Sequence, residues 1–257
     1  MLTKIPLLTL LIFSIAYPLC FWLSARDPLK KNFHHFHIGL PNLTAGLCIV
    51  AMMMLGLPAA IIQIALFWLV IFFGITFVWW PKPTVNPFWI LFLSAIGLWV
   101  YVLAHTQLLG GNIASILVSI LGGLILSAAF YAMNLGHWYL NVHGLPLIHL
   151  KRATIALAIV LGARLLWDVI MFFATRVMYR GEEITIAAFV GRIDGIFLLV
   201  AFFFGTLFPL VSIYFVWGTL QAKSTQSATG ILYVLLSAIL IGDIAYKFYL
   251  LHYSLAF

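Results

Sequence analysis

Long apolar runs separated by short polar breaks dominate this chain. A membrane-crossing helix needs about 20 apolar residues at roughly 1.5 Å of rise each. Eight runs are predicted as spans on that basis, at about residues 5–24, 39–55, 58–80, 87–106, 112–138, 150–174, 187–220 and 228–252. The breaks between them carry turn signals. Pro18 interrupts the first run, and a polar loop over 26–37 follows with Lys30, Lys31 and three histidines. The stretch 39–80 is too long for one helix. Its Leu55-Gly56-Leu57-Pro58 step divides it, because proline disfavours helix in the residue before it. Pro81-Lys82-Pro83 ends the third run at an interface marked by Trp79 and Trp80, and Gly110-Gly111 turns the fourth into the fifth. Gly144-Leu145-Pro146 leads to the sixth run.

The most hydrophilic segment, 175–183, precedes a seventh run long enough to tilt, with a kink predicted before Pro209. Within the fifth run Ser115, Ser119, Gly123 and Ser127 recur every four residues, a stripe that lets another helix approach closely. Tyr131, Asn134, Trp138 and Asn141, with His137, give the end of that run a polar face. The expected fold is an all-α polytopic membrane helix bundle of about eight transmembrane helices with short loops, forming one integral membrane domain over 1–257.

Composition strengthens this reading. Of the 257 residues 65% are hydrophobic and only 7% charged, against about a quarter charged in soluble domains. Lipid must therefore cover most of the outside. Residues 1–25 have the basic start and apolar run of a signal peptide, but the run exceeds the roughly 7–15 residues of a signal core, so a retained helix is expected. Cys20 and Cys48 both lie in apolar runs and suggest neither a disulfide framework nor a metal motif.

The net charge of +7 is scattered in short loops, which argues against nucleic acid and for topology determinants. Arg26, Lys30, Lys31, Lys82, Lys151, Arg152 and Lys223 fall on one side of an eight-span layout; Lys4, Arg176 and Arg180 fall on the other. The positive-inside rule then places both termini outside a plasma (inner) membrane. The lipid bilayer is the expected partner, with other membrane subunits of a complex.

Ionisable residues inside a membrane suggest function by default, because each is costly there. Arg164 and Asp168 in the sixth run, and Asp243 and Lys247 in the eighth, are four apart and share a helical face within ion-pair reach. Arg192 and Asp194 stand near the start of the seventh. All six are expected between mid-membrane and the outer face. They are read either as self-neutralising pairs joining three helices or as the polar lining of a site for protons, an ion or a quinone headgroup. Asp243-x-x-x-Lys247 resembles, at two positions only, the counter-ion and Schiff-base lysine of microbial rhodopsins. Eight spans instead of seven, and an unmatched aromatic and proline pattern, set the chain apart from them.

A b-type haem held between two helices needs a histidine from each at matching depth. His37 with His137 on one side, and His105 with His252 on the other, meet that condition in the eight-span layout; the other reading is that they are interfacial or loop-ordering histidines. The His34-His35-Phe36-His37 run, even with His143 or His149, has no carboxylate or thiolate partner beyond Asp27, so no metal site is read from it. There is no phosphate-binding Gly-x-x-x-x-Gly-Lys-Ser/Thr loop, no Gly-x-Gly-x-x-Gly, no His-Glu-x-x-His and no Gly-x-Ser-x-Gly. The leading expectation is a quinone- or haem b-binding subunit of a redox or proton-linked complex. A small transporter or channel using the charges of the last three runs is the alternative, and a purely structural subunit the third. Gly136-His137-Trp138-Tyr139-Leu140 and Gln226-Ser227-Ala228-Thr229-Gly230 look like motifs without an assigned chemistry.

Overall fold

The computed structural model describes residues 3–24, 29, 33–82, 85–142 and 144–257. Arg26, Asp27, Lys30, Lys31, Pro83 and His143 lie outside the described residues. Among those described, eight helical segments are long and apolar enough to cross a membrane. The chain is an all-α helical bundle of multi-pass membrane character. Large apolar side chains such as Phe73, Phe77, Phe173 and Ile193 stand on its outside, where lipid can cover them.

The helices group into two compact units, Leu2–Asn112 and Ile113–Phe257. In the first, α1 (Lys4–Ala16) continues into a tight 3-10 stretch, Tyr17–Leu23. Pro18 sits at the start of that stretch, where a residue without an N–H is tolerated. Then come α2 (Phe33–Met54), α3 (Ala59–Trp79) and α4 (Pro87–Leu109). α1 packs on α2 and α4, and α3 packs on both as well. Gly56, at φ 68°, takes the left-handed turn that ends α2, and Pro58 opens α3. The Asn86 side chain accepts the Phe88 N–H at 2.9 Å to cap α4, with Pro87 at its first position.

The start of α2 corrects the sequence reading. The helix begins at Phe33, not at 39, and takes in the histidine run assigned to a loop. The imidazoles find partners on the helix surface: His34 and His37 are buried, and His35 stacks on Trp80 at 4.2 Å. The helix also runs through Pro41, whose missing N–H and ring would ordinarily mark a boundary near the predicted start.

The second unit comprises α5 (Ile113–Asn141), α6 (Ile148–Ala174), a hairpin, and the segments of the seventh and eighth spans. The hydrophilic 175–183 segment forms most of a β-hairpin. β1 (Arg176–Tyr179) pairs antiparallel with β2 (Glu182–Thr185), with Arg176 opposite Thr185 and Tyr179 opposite Glu182. Arg180 and Gly181 both have positive φ, 54° and 89°, as a two-residue hairpin turn matched to strand twist requires.

The seventh span also differs from its predicted form. A short helix, α7 (Ile186–Val190), is followed by a break at Gly191, and α8 (Ile193–Phe202) begins the span proper. Where a kink was expected before Pro209, the chain makes a wide π turn, Phe203–Leu207, before α9 (Phe208–Gln221). The Phe208 N–H reaches back five residues to the Phe203 carbonyl, and Pro209 has no N–H to continue the ordinary ladder.

α10 (Thr225–Tyr253) is the axis of this unit and touches α5, α8, the π turn and α9. Its crossing with α5 runs on glycines. A Cβ on Gly122 would lie 2.6 Å from the Asp243 carboxylate, and one on Gly136 would lie 2.6 Å from the Thr229 hydroxyl. The two unassigned motifs therefore meet at one antiparallel crossing. The small-residue stripe belongs to the same helix, with Ser115, Ser119 and Ser127 all buried. Asn134 and Asn141 turn their amides back onto carbonyls of their own helix, those of Phe130 and His137.

Candidate functional site

The polar centre of the second unit grows from α6. Spacing of four puts Arg164 and Asp168 on one face, and the Arg164 Nε donates to Asp168 Oδ1 at 3.0 Å. Both residues are buried, at 3% exposure each. The other carboxylate oxygen, Oδ2, accepts the Thr206 hydroxyl at 2.7 Å and the Tyr246 hydroxyl at 2.8 Å. The π turn brings Thr206 to this point, and α10 supplies Tyr246.

Close approach of the two backbones makes this possible. A Cβ on Gly242 would fall 2.2 Å from the Gly205 Cα, so the π turn and α10 cross glycine on glycine. The guanidinium carbon of Arg164 lies 3.8 Å from the centre of the Tyr246 ring. Its Nη2 is buried without a hydrogen-bond partner, and the ring face offers it a compensating electrostatic contact. One turn away on α10, Lys247 and Asp243 form a second buried ion pair facing Gly122 of α5.

Of the six charges read from the sequence, four thus lie in the core as two ion pairs. The remaining two lie elsewhere: Arg192 immediately precedes α8, without a side-chain capping bond, and Asp194 follows in its first turn, both exposed. There they border a polar surface pocket of about 630 Å³ with Tyr179, Arg180 and Glu182. The Tyr179 hydroxyl donates to the Asp194 carboxylate at 2.8 Å, and the Tyr249 hydroxyl to the Asp194 carbonyl at 2.5 Å.

An apolar cavity of about 190 Å³ opens beside the buried network. Phe172, Phe173, Leu198, Leu199, Phe202 and Phe257 form most of its wall. Its mouth is marked by exposed residues, Val169 at 45%, Leu199 at 48% and Phe173 at 82%. Asp168 and Tyr246 bring the polar side chains to its lining. Charge pairs closed on each other would by themselves be structural. Here one member of a pair, Asp168, also lines a space bordered by exposed apolar side chains.

The four histidines named for haem divide between the units. His37 is buried, hydrogen-bonded to Tyr17, and lies 4.2 Å from the Phe33 ring; His105 is buried beside Tyr101. In the other unit His137 is exposed, 3.4 Å from the Tyr233 hydroxyl, and His252 is exposed against Phe248. Each expected haem pair therefore takes one histidine from each unit. Among the described residues no group of three or more His, Cys, Asp or Glu side chains is arranged to hold a metal.

Thr206 and Tyr246 escaped the sequence reading. Tyr246 had a faint signal, lying on the same face of the last span as Asp243 and adjacent to Lys247. Thr206 had none, since its reach depends on the extra residue of the π turn. No family model, curated protein or solved structure matches this chain.

Proposed function

We propose that this membrane protein binds a lipid-soluble molecule of the quinone class in the cavity of its second unit, with the polar head of the molecule at Asp168 and Tyr246. One observation supports the reading above others: an apolar cavity ends on the buried Arg164–Asp168–Thr206–Tyr246 network. Ligand sites are commonly apolar clefts with a few convergent polar groups, and an intramembrane ionisable residue marks a functional site by default. A path for ions or water through the same charges is less well supported. Such a path needs polar walls, whereas this cavity is walled by phenylalanine and aliphatic side chains.

The test fills the cavity without touching the network. Val169→Phe with Leu199→Phe enlarges two exposed side chains at the mouth. Organic extracts of purified wild-type protein should contain a quinone-class molecule in near-stoichiometric amount, and extracts of the filled variant should lack it. Equal content in both, or none in wild type, would sink the proposal. The loop charges support an orientation with both termini outside. A reporter active only in the cytoplasm should stay silent at the C-terminus, and a bright one would reverse that orientation.

A further inference from the structure

Hydrogen-bond inventory at the cavity's polar end sorts its ligands by chemistry. A carboxylate only accepts, with about four lone-pair positions on its two oxygens. Three positions on Asp168 are taken, by Arg164 Nε, Thr206 Oγ and Tyr246 Oη. Thr206 and Tyr246 have one hydroxyl proton each, and both protons are directed at Asp168 Oδ2. The 3.0 Å contact between those two hydroxyl oxygens then has no proton of its own. Arg164, the strong donor nearby, lies over the Tyr246 ring and is not part of the cavity wall. Asp168 and Tyr246, the polar side chains in the cavity lining, thus keep acceptor capacity, namely a carboxylate position and a phenol lone pair, and no spare proton.

We infer that the site selects a lipophile whose head donates a hydroxyl proton, the reduced quinol form rather than the quinone. This rests on the cavity being the binding site proposed above. A quinol hydroxyl completes the hydrogen bonding of Asp168 or Tyr246. A quinone carbonyl instead sets lone pairs against lone pairs in a space walled mostly by apolar side chains. The phenyl rings of Phe172, Phe202 and Phe257 suit the flat body of either form, so they do not discriminate.

The experiment compares three probes of nearly one shape on the full-length protein in detergent: decyl-ubiquinol under reducing conditions, decyl-ubiquinone, and the quinol with both hydroxyls methylated. Isothermal titration should find the quinol roughly tenfold or more tighter than the other two, as expected for one hydrogen bond to a charged acceptor. The methylated compound keeps the ring and loses the protons, so it should bind as weakly as the quinone. In Arg164→Gln with Asp168→Asn, an amide that both donates and accepts replaces the carboxylate, and the preference should fall to near equality. If all three probes bind wild type equally, and Val169→Phe with Leu199→Phe abolishes that binding, the donor inference is overturned and the cavity reading stands. If no probe binds, or filling the cavity changes nothing, the cavity reading itself fails. The methylated probe keeps the question decidable even if the double variant does not fold.

Discussion

The two units are built from helices of similar length and apolar character but differ in what closes their interiors. Among the described residues of Leu2–Asn112, buried polar contacts join neutral groups, as three of them illustrate. Ser14 and Thr44 share a hydrogen bond of 2.6 Å, the Ser94 hydroxyl donates to the Ile15 carbonyl at 2.8 Å, and the Trp68 indole donates to the Leu93 carbonyl at 3.0 Å. In Ile113–Phe257 the interior holds two ion pairs, a carboxylate with three donors, and two backbones in glycine contact. Five of the six acidic residues of the whole chain lie in this second unit. One of these charges, Asp168, also lines the cavity, and on the function proposed above it receives the head of the ligand.

The comparison breaks most visibly at the glycines. In the first unit Gly97 faces side chains: an added Cβ would lie 2.8 Å from Ile15 Cγ1 and from the Trp68 ring. In the second, Gly242 faces backbone, with the Gly205 Cα and N both at 2.2 Å from an added Cβ. Side chains can shift a few tenths of an ångström, so Gly97→Ala should cost about 1–3 kcal/mol, the usual range for overpacking. Backbone cannot yield without separating the π turn from α10 and pulling Thr206 off Asp168. Gly242→Ala should therefore cost well above ~3 kcal/mol and abolish cooperative unfolding of the second unit, as read by helicity in a denaturing detergent titration. Equal losses for the two variants would mean that the glycine crossing is not what positions Thr206.

The charges themselves come next. Asp168→Asn leaves Arg164 buried opposite a neutral amide, and stranding one member of a buried pair costs about 3–5 kcal/mol. Adding Arg164→Gln removes both charges and should recover a good part of that loss. The same unfolding assay checks it; a double variant no more stable than Asp168→Asn alone would show that the two residues do not act as a pair.

Much of the architecture could be read from the sequence, because membrane helices announce themselves by length and composition. The eight runs lie close to the eight helices, and the Gly56-to-Pro58 and Gly110 breaks fall where the chain turns. Hydrophobicity misses the start of α2 because its three histidines are polar, although His34 and His37 are buried against neighbours that only folding brings near. The α7–α8 break was hidden for a similar reason. Gly195 packs so tightly on the Phe189 carbonyl that a Cβ there would lie 1.9 Å away, a contact with no trace in hydrophobicity. Spacing of four disclosed both ion pairs in the core. It could not disclose Thr206, since a π turn inserts one residue and rotates every side chain after it relative to an ordinary helix. A site assembled from three helices is legible only in the parts that lie on one of them.

The finest contrast between the units is between two threonines and the same isosteric change. Thr44 in the first unit bonds the Ser14 hydroxyl and backbone carbonyls, all neutral partners. Thr206 in the second bonds a carboxylate at 2.7 Å. A neutral hydrogen bond contributes about 0.5–1.5 kcal/mol net, and one to a charged group about 1.5–3 kcal/mol. Thr44→Val should therefore cost about 1 kcal/mol and Thr206→Val about twice that, although both substitutions preserve shape. The second figure depends on the charge, which gives the comparison its edge. Placed in the Arg164→Gln, Asp168→Asn background, Thr206→Val should cost no more than Thr44→Val does in wild type, because the amide that replaces the carboxylate is a neutral acceptor. If Thr206→Val costs the same with and without the Asp168 charge, the hydroxyl is held by packing alone, and the carboxylate is not the acceptor that organises the end of the cavity.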